Sequence, residues 1–242
     1  MSDFREIIAA LGAQNPDALL LEPRSVYDPC VVGMTDEPDD HWPRTGGTLV
    51  AVYSAEKCIE TTRTLGKDDW MTPPEVFDPV NQVAQFDLDA CATNLDAARV
   101  DPFIDPKTDA LRVRWADYGR RVWCNPPYGR DIRHWFEKAA HACLDGCELV
   151  VLLAYANTDT TYWREYVARH PMVWSVVFLT PRVKFVRPDG EPATGAPKGS
   201  ALICYSHRPR PSGSRIPHAY WDYKYEPFTD VIRRTAITHG AT

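Results

Sequence analysis

No stretch of the 242-residue sequence is apolar for 18 residues, and the longest clean apolar run covers only 149–154. A helix needs about 20 such residues to cross a bilayer, so no membrane-spanning helix is expected. The N-terminus lacks a basic segment followed by an apolar one, so no secretory signal is expected. There is no Cys-x-x-Cys, and seven cysteines are an odd number. That argues against a disulfide framework and for a reducing cytoplasm. The phosphate-cradling pattern Gly-x-x-x-x-Gly-Lys-Ser/Thr is missing as well. Cys143 and Cys147 lie four residues apart near His134 and His141. Their helical phases conflict, with Cys143 on an apolar face and the two histidines off it, so no metal site is expected.

What is present suits a globular chain. Hydrophobic residues make up 44% and charged residues 25% of the sequence, enough to bury a sizeable core and too apolar for wholesale disorder. The length suggests one large domain, or one domain with an appendage. The net charge of -6 is unevenly placed. Residues 1–66 carry 11 acidic and 5 basic side chains, while 67–242 carry 22 of each. Within the neutral part, 112–133 hold six Arg against two Asp, and 182–215 hold seven Lys/Arg against two acids. Local basic stripes of this kind can bind a polyanion although the whole chain is acidic.

The N-terminal quarter reads as an appendage, 1–66: a short helix from Asp3 to Leu11, an Asp/Pro/Gly-rich loop, a strand from Leu49 to Tyr53 and a helix from Ser54 to Leu65. The main domain, 67–242, alternates strands and helices. Residues 86–91 read as a strand running into a loop, and 121–124 as a short strand running into Asn125-Pro126-Pro127-Tyr128. Ile132, Trp135, Phe136, Ala139, Ala140, Cys143 and Leu144 recur with the spacing of one helix face. That helix starts near Asp131 and ends before Gly146. Strands are expected over 148–155, 174–180 and 200–206, and a helix over 160–170. Alternation of this kind implies parallel βαβ units in an open sheet, whose ligands sit at the carboxyl ends of the strands.

Asn125-Pro126-Pro127-Tyr128 carries the chemistry. The lone pair of an exocyclic base amine is delocalised into the ring and is a poor nucleophile. Two acceptors that bind both amine hydrogens draw the nitrogen towards a tetrahedral, nucleophilic shape. The Asn125 side-chain oxygen can be one, and the Pro126 carbonyl the other, with Pro126 and Pro127 stiffening the turn. Tyr128 can stack on a base pulled from a duplex. Methyl transfer in line then depends mainly on positioning, with no metal and no covalent enzyme intermediate. A cysteine nucleophile finds no support. The single Pro-Cys pair, Pro29-Cys30, lies in the acidic N-terminal part.

These blocks together resemble a known family. Asp69-Trp70-Met71-Thr72-Pro73, Phe86-Asp87-Leu88-Asp89-Ala90-Cys91-Ala92, Asp109-Ala110-Leu111 with Trp115, Trp123 to Gly129, Arg182-Val183-Lys184-Phe185 and Gly199-Ser200-Ala201 look like the phage-type DNA N6-adenine methyltransferases. The resemblance covers about residues 68–205. It implies a Rossmann-like class I methyltransferase sheet with helices on both faces, S-adenosylmethionine as cofactor and double-stranded DNA as partner. It also implies, for a phage-encoded chain, the cytoplasm of a bacterial host. By that resemblance Asn125, Pro126, Pro127 and Tyr128 are catalytic. Thr72 and Pro73 touch the methionine part of the cofactor. Asp87, Asp89, Ala90 and Cys91 form the loop that wraps it, here without the commoner glycines, and Asp109 lies at its adenosine. Phe185 matches a position near the flipped base, and the cations Arg182, Lys184 and Lys198 are expected to face DNA. Cytosine N4 offers the same kind of amine, and a silent nucleic-acid-binding protein on the same fold is the third reading. Oligomeric state and target sequence are not encoded in any of these motifs.

Overall fold

The structure is a computed structural model that describes residues 70–186 and 196–237. The helix expected over 3–11, the strand over 49–53, the helix over 54–65, the appendage 1–66 and Pro29-Cys30 all lie outside these residues.

Helix α1, Pro74–Ala84, begins with a proline at its first position, where the missing N–H costs nothing. Its buried residues, Val76, Phe77, Val80, Val83 and Ala84, fall on one face. Gln85 ends it in the left-handed conformation at φ 50°. Strand β1 is only Leu88–Asp89. A 3-10 turn at Trp115–Asp117 precedes β2, Arg121–Cys124. Helix α2, Ile132–Ala142, buries Trp135, Phe136, Ala139 and Ala140, the face that the spacing marks out, whereas Leu144 falls past the helix end and is exposed. Gly146, at φ 116°, turns the chain into β3, Leu149–Tyr155. The helix expected over 160–170 is shorter and mixed. Thr160 caps a short helix α3, Thr161–Trp163, which continues as a π turn, Arg164–Ala168, and stops before Pro171. The wider turn directs both Tyr166 and Val167 into the core. Strands β4, Val173–Thr180, and β5, Ser200–Ser206, fall where expected. Strand β6, His218–Asp222, and helix α4, Phe228–Ile237, complete the described chain.

The six strands lie in the order β1-β2-β3-β5-β4-β6. Pairs β1–β2, β2–β3 and β4–β6 are parallel, whereas β5 is antiparallel to both β3 and β4. The sheet is therefore mixed, and the expectation of parallel units holds for every strand but β5. The chain leaves β4 at one edge of the sheet and re-enters through β5 at that same edge, which reverses the strand.

Side-chain alternation divides the core in two. On one face Val122, Cys124, Val150, Leu152, Ile203 and Tyr205 pack under α2 and the π turn. On the other, Trp123 meets Phe77 of α1 with ring centroids 5.2 Å apart, and Trp221 meets Phe228 of α4 at 4.7 Å. Helices thus cover both faces, and the carboxyl ends of β1, β2 and β3 share one edge.

Gly119, between the 3-10 turn and β2, is where the sheet's other edge is tightest. A Cβ there would sit 2.6 Å from the Leu88 Cβ and 2.9 Å from the Asp87 carbonyl oxygen. Neither neighbour is the free end of a flexible side chain. Gly119→Ala is expected to destabilise the fold by about 1–3 kcal/mol, read as a lowered urea midpoint. An unchanged midpoint would show that the β1 and β2 entrances are not in close contact.

Candidate active site at the carboxyl edge of the sheet

Strand β2 ends at Cys124 and delivers Asn125 to the edge, where the side-chain amide is held at both ends. Its Nδ2 donates to the Trp70 carbonyl at 2.8 Å, and its Oδ1 accepts from the Tyr128 hydroxyl at 2.7 Å. The Tyr128 hydroxyl also lies 3.4 Å from the Leu153 carbonyl. Burial pushes the Tyr128 phenol well above its ordinary pKa, so it stays protonated and able to donate. Its ring stacks on Tyr155, at the end of β3, with centroids 4.2 Å apart and planes 26° apart. Phe185 is 2% exposed and packs on the same ring at 5.6 Å. One face of Tyr128 is thus occupied within the protein, and Phe185 backs that ring instead of presenting a face of its own.

The segment that carries Trp70 is fixed from the opposite side. Met71 and Val186 form an antiparallel bridge, with N–H···O distances of 2.9 Å and 3.0 Å. Residues 70–73 therefore run beside 182–186, and both lie over the edge where Asn125 emerges. Thr72 is 2% exposed, and its Oγ1 has no hydrogen-bond partner. Pro73 N-caps α1, and no side chain caps that helix. An orphaned buried hydroxyl beside an uncapped helix N-terminus fits the polar end of a bound cofactor.

Asp89 organises the loop after β1. Its Oδ1 accepts from the Cys91 amide at 3.0 Å and its Oδ2 from the Arg99 amide at 2.9 Å. Burial raises its pKa to about 6, although both amide hydrogen bonds and Arg99 pull the other way. The Arg99 guanidinium donates from Nη2 to the Thr72 carbonyl, joining this loop to the start of α1. Ala90 is fully buried, its amide donating to the Trp123 carbonyl at 2.8 Å, and Cys91 is half-buried at the loop's mouth.

The structure gathers Thr72, Pro73, Asp89, Ala90, Cys91, Asn125 to Tyr128 and Phe185, and places other candidates elsewhere. Asp87 stands at the opposite end of β1, where its Oδ1 accepts from the Arg120 and Arg121 amides at 2.8 Å and 2.7 Å. It ties the strand entrances together and does not join the loop after β1. Asp109, at φ 57°, accepts from the Leu111 amide and pairs with Arg112 at 3.0 Å, closing its own turn. Lys198 donates to Asn157 Oδ1 at 3.0 Å, and Arg182 donates to the Pro197 carbonyl at 3.1 Å. Lys184 is exposed. Sequence reading did not single out Trp70 as the partner of Asn125, or Arg99 and Tyr155. Of these, Tyr155 carried a signal, an aromatic ending the apolar run of β3.

The sequence model of the DNA N-6-adenine-methyltransferase (Dam) family matches residues 60–218. The chain belongs to that family. It is also 32% identical over 101 residues to the DNA N-6-adenine-methyltransferase of Escherichia phage T1, an alignment covering 41% of this chain and 40% of that protein. The chain thus matches less than half the length of this relative. No solved structure matches the chain. The part matched to the Dam family holds every residue of the site described above. It ends at the first residue of β6, so α4 lies beyond it.

The Asp89 carboxyl gives a signature in stability. Its pKa is higher in the fold than the ordinary 3.8, at about 6. The folded state therefore holds the proton more tightly than the unfolded chain. The stability that Asp89 contributes is full below about pH 4 and is lost as pH rises to about 6. Comparing urea midpoints of the parent and Asp89→Asn at pH 5 and pH 7 isolates the effect. The parent's stability relative to the variant is expected to fall by about 1 kcal/mol between those two pH values. A pH-independent difference would mean that Asp89 ionises at its ordinary pKa.

Proposed function

We propose that the protein transfers a methyl group from S-adenosylmethionine to the exocyclic N6 amine of adenine in DNA, on a target base flipped out of the duplex. The single observation that carries this reading is the fixed amide of Asn125. Because Nδ2 is committed to the Trp70 carbonyl, Oδ1 is left as the acceptor. It already receives the Tyr128 hydroxyl, and a carbonyl oxygen has a second lone pair. One amine hydrogen takes that lone pair, and the Pro126 carbonyl takes the other hydrogen. The base is received against Tyr128, while Tyr155 and Phe185 hold the ring still.

The cofactor supplies an electrophilic methyl on a sulfonium. The adenine N6–C bond forms as the C–S bond breaks, the electron pair returns to sulfur, and N6 gives up its extra proton to water. Asn125 and Pro126 are neutral acceptors and keep no proton. Their contribution is orientation and charge complementarity, felt mainly as N6 becomes pyramidal. Thr72 and the N-terminus of α1 hold the polar end of the cofactor, and Asp89 keeps the loop 90–99 in place around it. We read the sheet as a Rossmann-like methyltransferase sheet, and the domain as 67–242 with 1–66 as a separate appendage. The working compartment is the cytoplasm and the partner double-stranded DNA.

Incubating the protein with DNA and labelled cofactor, then digesting to nucleosides, tests the reaction. Label on N6-methyl-2′-deoxyadenosine is expected; label on N4-methyl-2′-deoxycytidine, or none, overturns it. Asn125→Ala is expected to lower turnover by about 100-fold or more, while leaving the affinity for S-adenosylhomocysteine nearly intact. Near-native turnover would remove the amine-activation role.

Lys184 is the exposed cation beside the bridge at Val186. If it meets a DNA phosphate, Lys184→Gln flattens the slope of log affinity against log salt by about 0.9. Lys198 and Arg182 already have partners within the protein. An unchanged slope would place the DNA surface elsewhere.

A further inference from the structure

Arg99 meets Thr72, and acidic side chains act on Arg99 in turn. Arg99 is half-buried; its Nη2 is spent on the Thr72 carbonyl, and its buried Nε has no partner. Three carboxylates act on it, Asp78 most strongly, then Asp89 and Glu75. Glu75 and Asp78 belong to the first turns of α1, whose N-terminus no side chain caps. A phosphate would be repelled by the three acids, and a neutral purine would make no use of the cation. A ligand end that is itself zwitterionic, one carboxylate beside one ammonium, matches the arrangement. Its carboxylate meets the guanidinium beside the orphaned Thr72 hydroxyl, and its ammonium meets side-chain carboxylates.

We infer that Arg99 is the residue that recognises the carboxylate of the amino-acid end of S-adenosylmethionine, with Asp78 and Glu75 serving its ammonium. The inference rests on the methyl-donor reading above and adds to it a residue and a basis for ligand selectivity. Arg99 lies in the loop that Asp89 holds, and its guanidinium reaches the start of α1. It therefore spans the two segments between which the amino-acid end would lie.

Two ligands separate recognition from scaffolding. S-adenosylhomocysteine carries the amino-acid end, and 5′-methylthioadenosine keeps the adenosine and thioether but lacks it. Isothermal titration of the full chain with each, for the parent, Arg99→Gln and Arg99→Lys, reads the difference. Arg99→Gln is expected to weaken S-adenosylhomocysteine about 10- to 100-fold, the loss of a charge-assisted hydrogen bond. Binding of 5′-methylthioadenosine should be unchanged, and Arg99→Lys should restore part of the difference. Equal weakening of both ligands, or of neither, overturns the inference and leaves Arg99 a loop clamp. If Arg99→Gln does not fold, the ratio of the two affinities in Arg99→Lys decides. A several-fold drop from the parent's ratio supports the assignment, and an unchanged ratio overturns it. A parent that fails to bind S-adenosylhomocysteine overturns the methyl-donor reading, and this inference with it.

Discussion

The Trp70 carbonyl decides which way the Asn125 amide faces. The Tyr128 hydroxyl cannot make that choice, because a hydroxyl donates to an oxygen or accepts from an NH₂ with equal ease. A carbonyl only accepts. Turning the amide over would set Oδ1 against the Trp70 oxygen and leave both without a donor. A single hydrogen bond of this kind contributes only about 0.5–1.5 kcal/mol to stability, but the reversed amide also bears the cost of unpaired polar atoms. The chemistry attributed to Asn125 therefore depends on a residue 55 positions earlier. That residue is held in turn by the bridge between Met71 and Val186.

Strand direction makes that bridge possible. Strands β1, β2 and β3 run together, so Asp89, Cys124 and Tyr155 arrive at one edge. Strand β5 runs against them, and its first residue, Ser200, pairs with Tyr155, the last of β3. The connection from β4 to β5 must consequently start and finish at the site edge. Phe185 reaches Tyr128 and Val186 reaches Met71 from that edge, and Gly199 accepts from the Ala156 amide there. The one strand that departs from the parallel expectation is the one that closes the site.

Much of this was legible in the sequence where periodicity or a stiff motif carried the information. The spacing from Ile132 to Ala140 marked the buried face of α2, and the apolar run of 149–155 marked β3. Asn125 to Tyr128 stood out because two prolines fix the turn after a short strand. Helix α1 was hidden, since Pro73, Pro74 and Pro79 read as breakers. In the fold, Pro74 occupies the one helical position where its missing N–H is free of cost, and Val76, Phe77 and Val80 bury enough surface to outweigh Pro79. The role of Asp87 was hidden for another reason. Asp87 and Asp89 are two residues apart, and in a two-residue strand that spacing separates the entrance from the exit. Arg99 gave no signal at all, because its contacts come from a loop whose shape is set by the Asp89 carboxylate.

The strip from Trp70 to Thr72 also separates two kinds of electrostatics. At Trp70 the partners are neutral: an amide, a phenol held protonated by burial, and a proline turn. At Thr72 the partner is charged: Arg99 donates to its carbonyl, and Asp78, Asp89 and Glu75 act on Arg99 in turn. Two residues of extended chain span about 7 Å. In the proposed reaction the amine meets two neutral acceptors, Asn125 and Pro126. The amino-acid end of the cofactor needs charge. Keeping the charged partners two residues along the same strip lets one short, bridged segment orient both reactants and set the distance between them. That segment is anchored to the end of β2 through Asn125 on one side and to the chain that follows β4 through Val186 on the other.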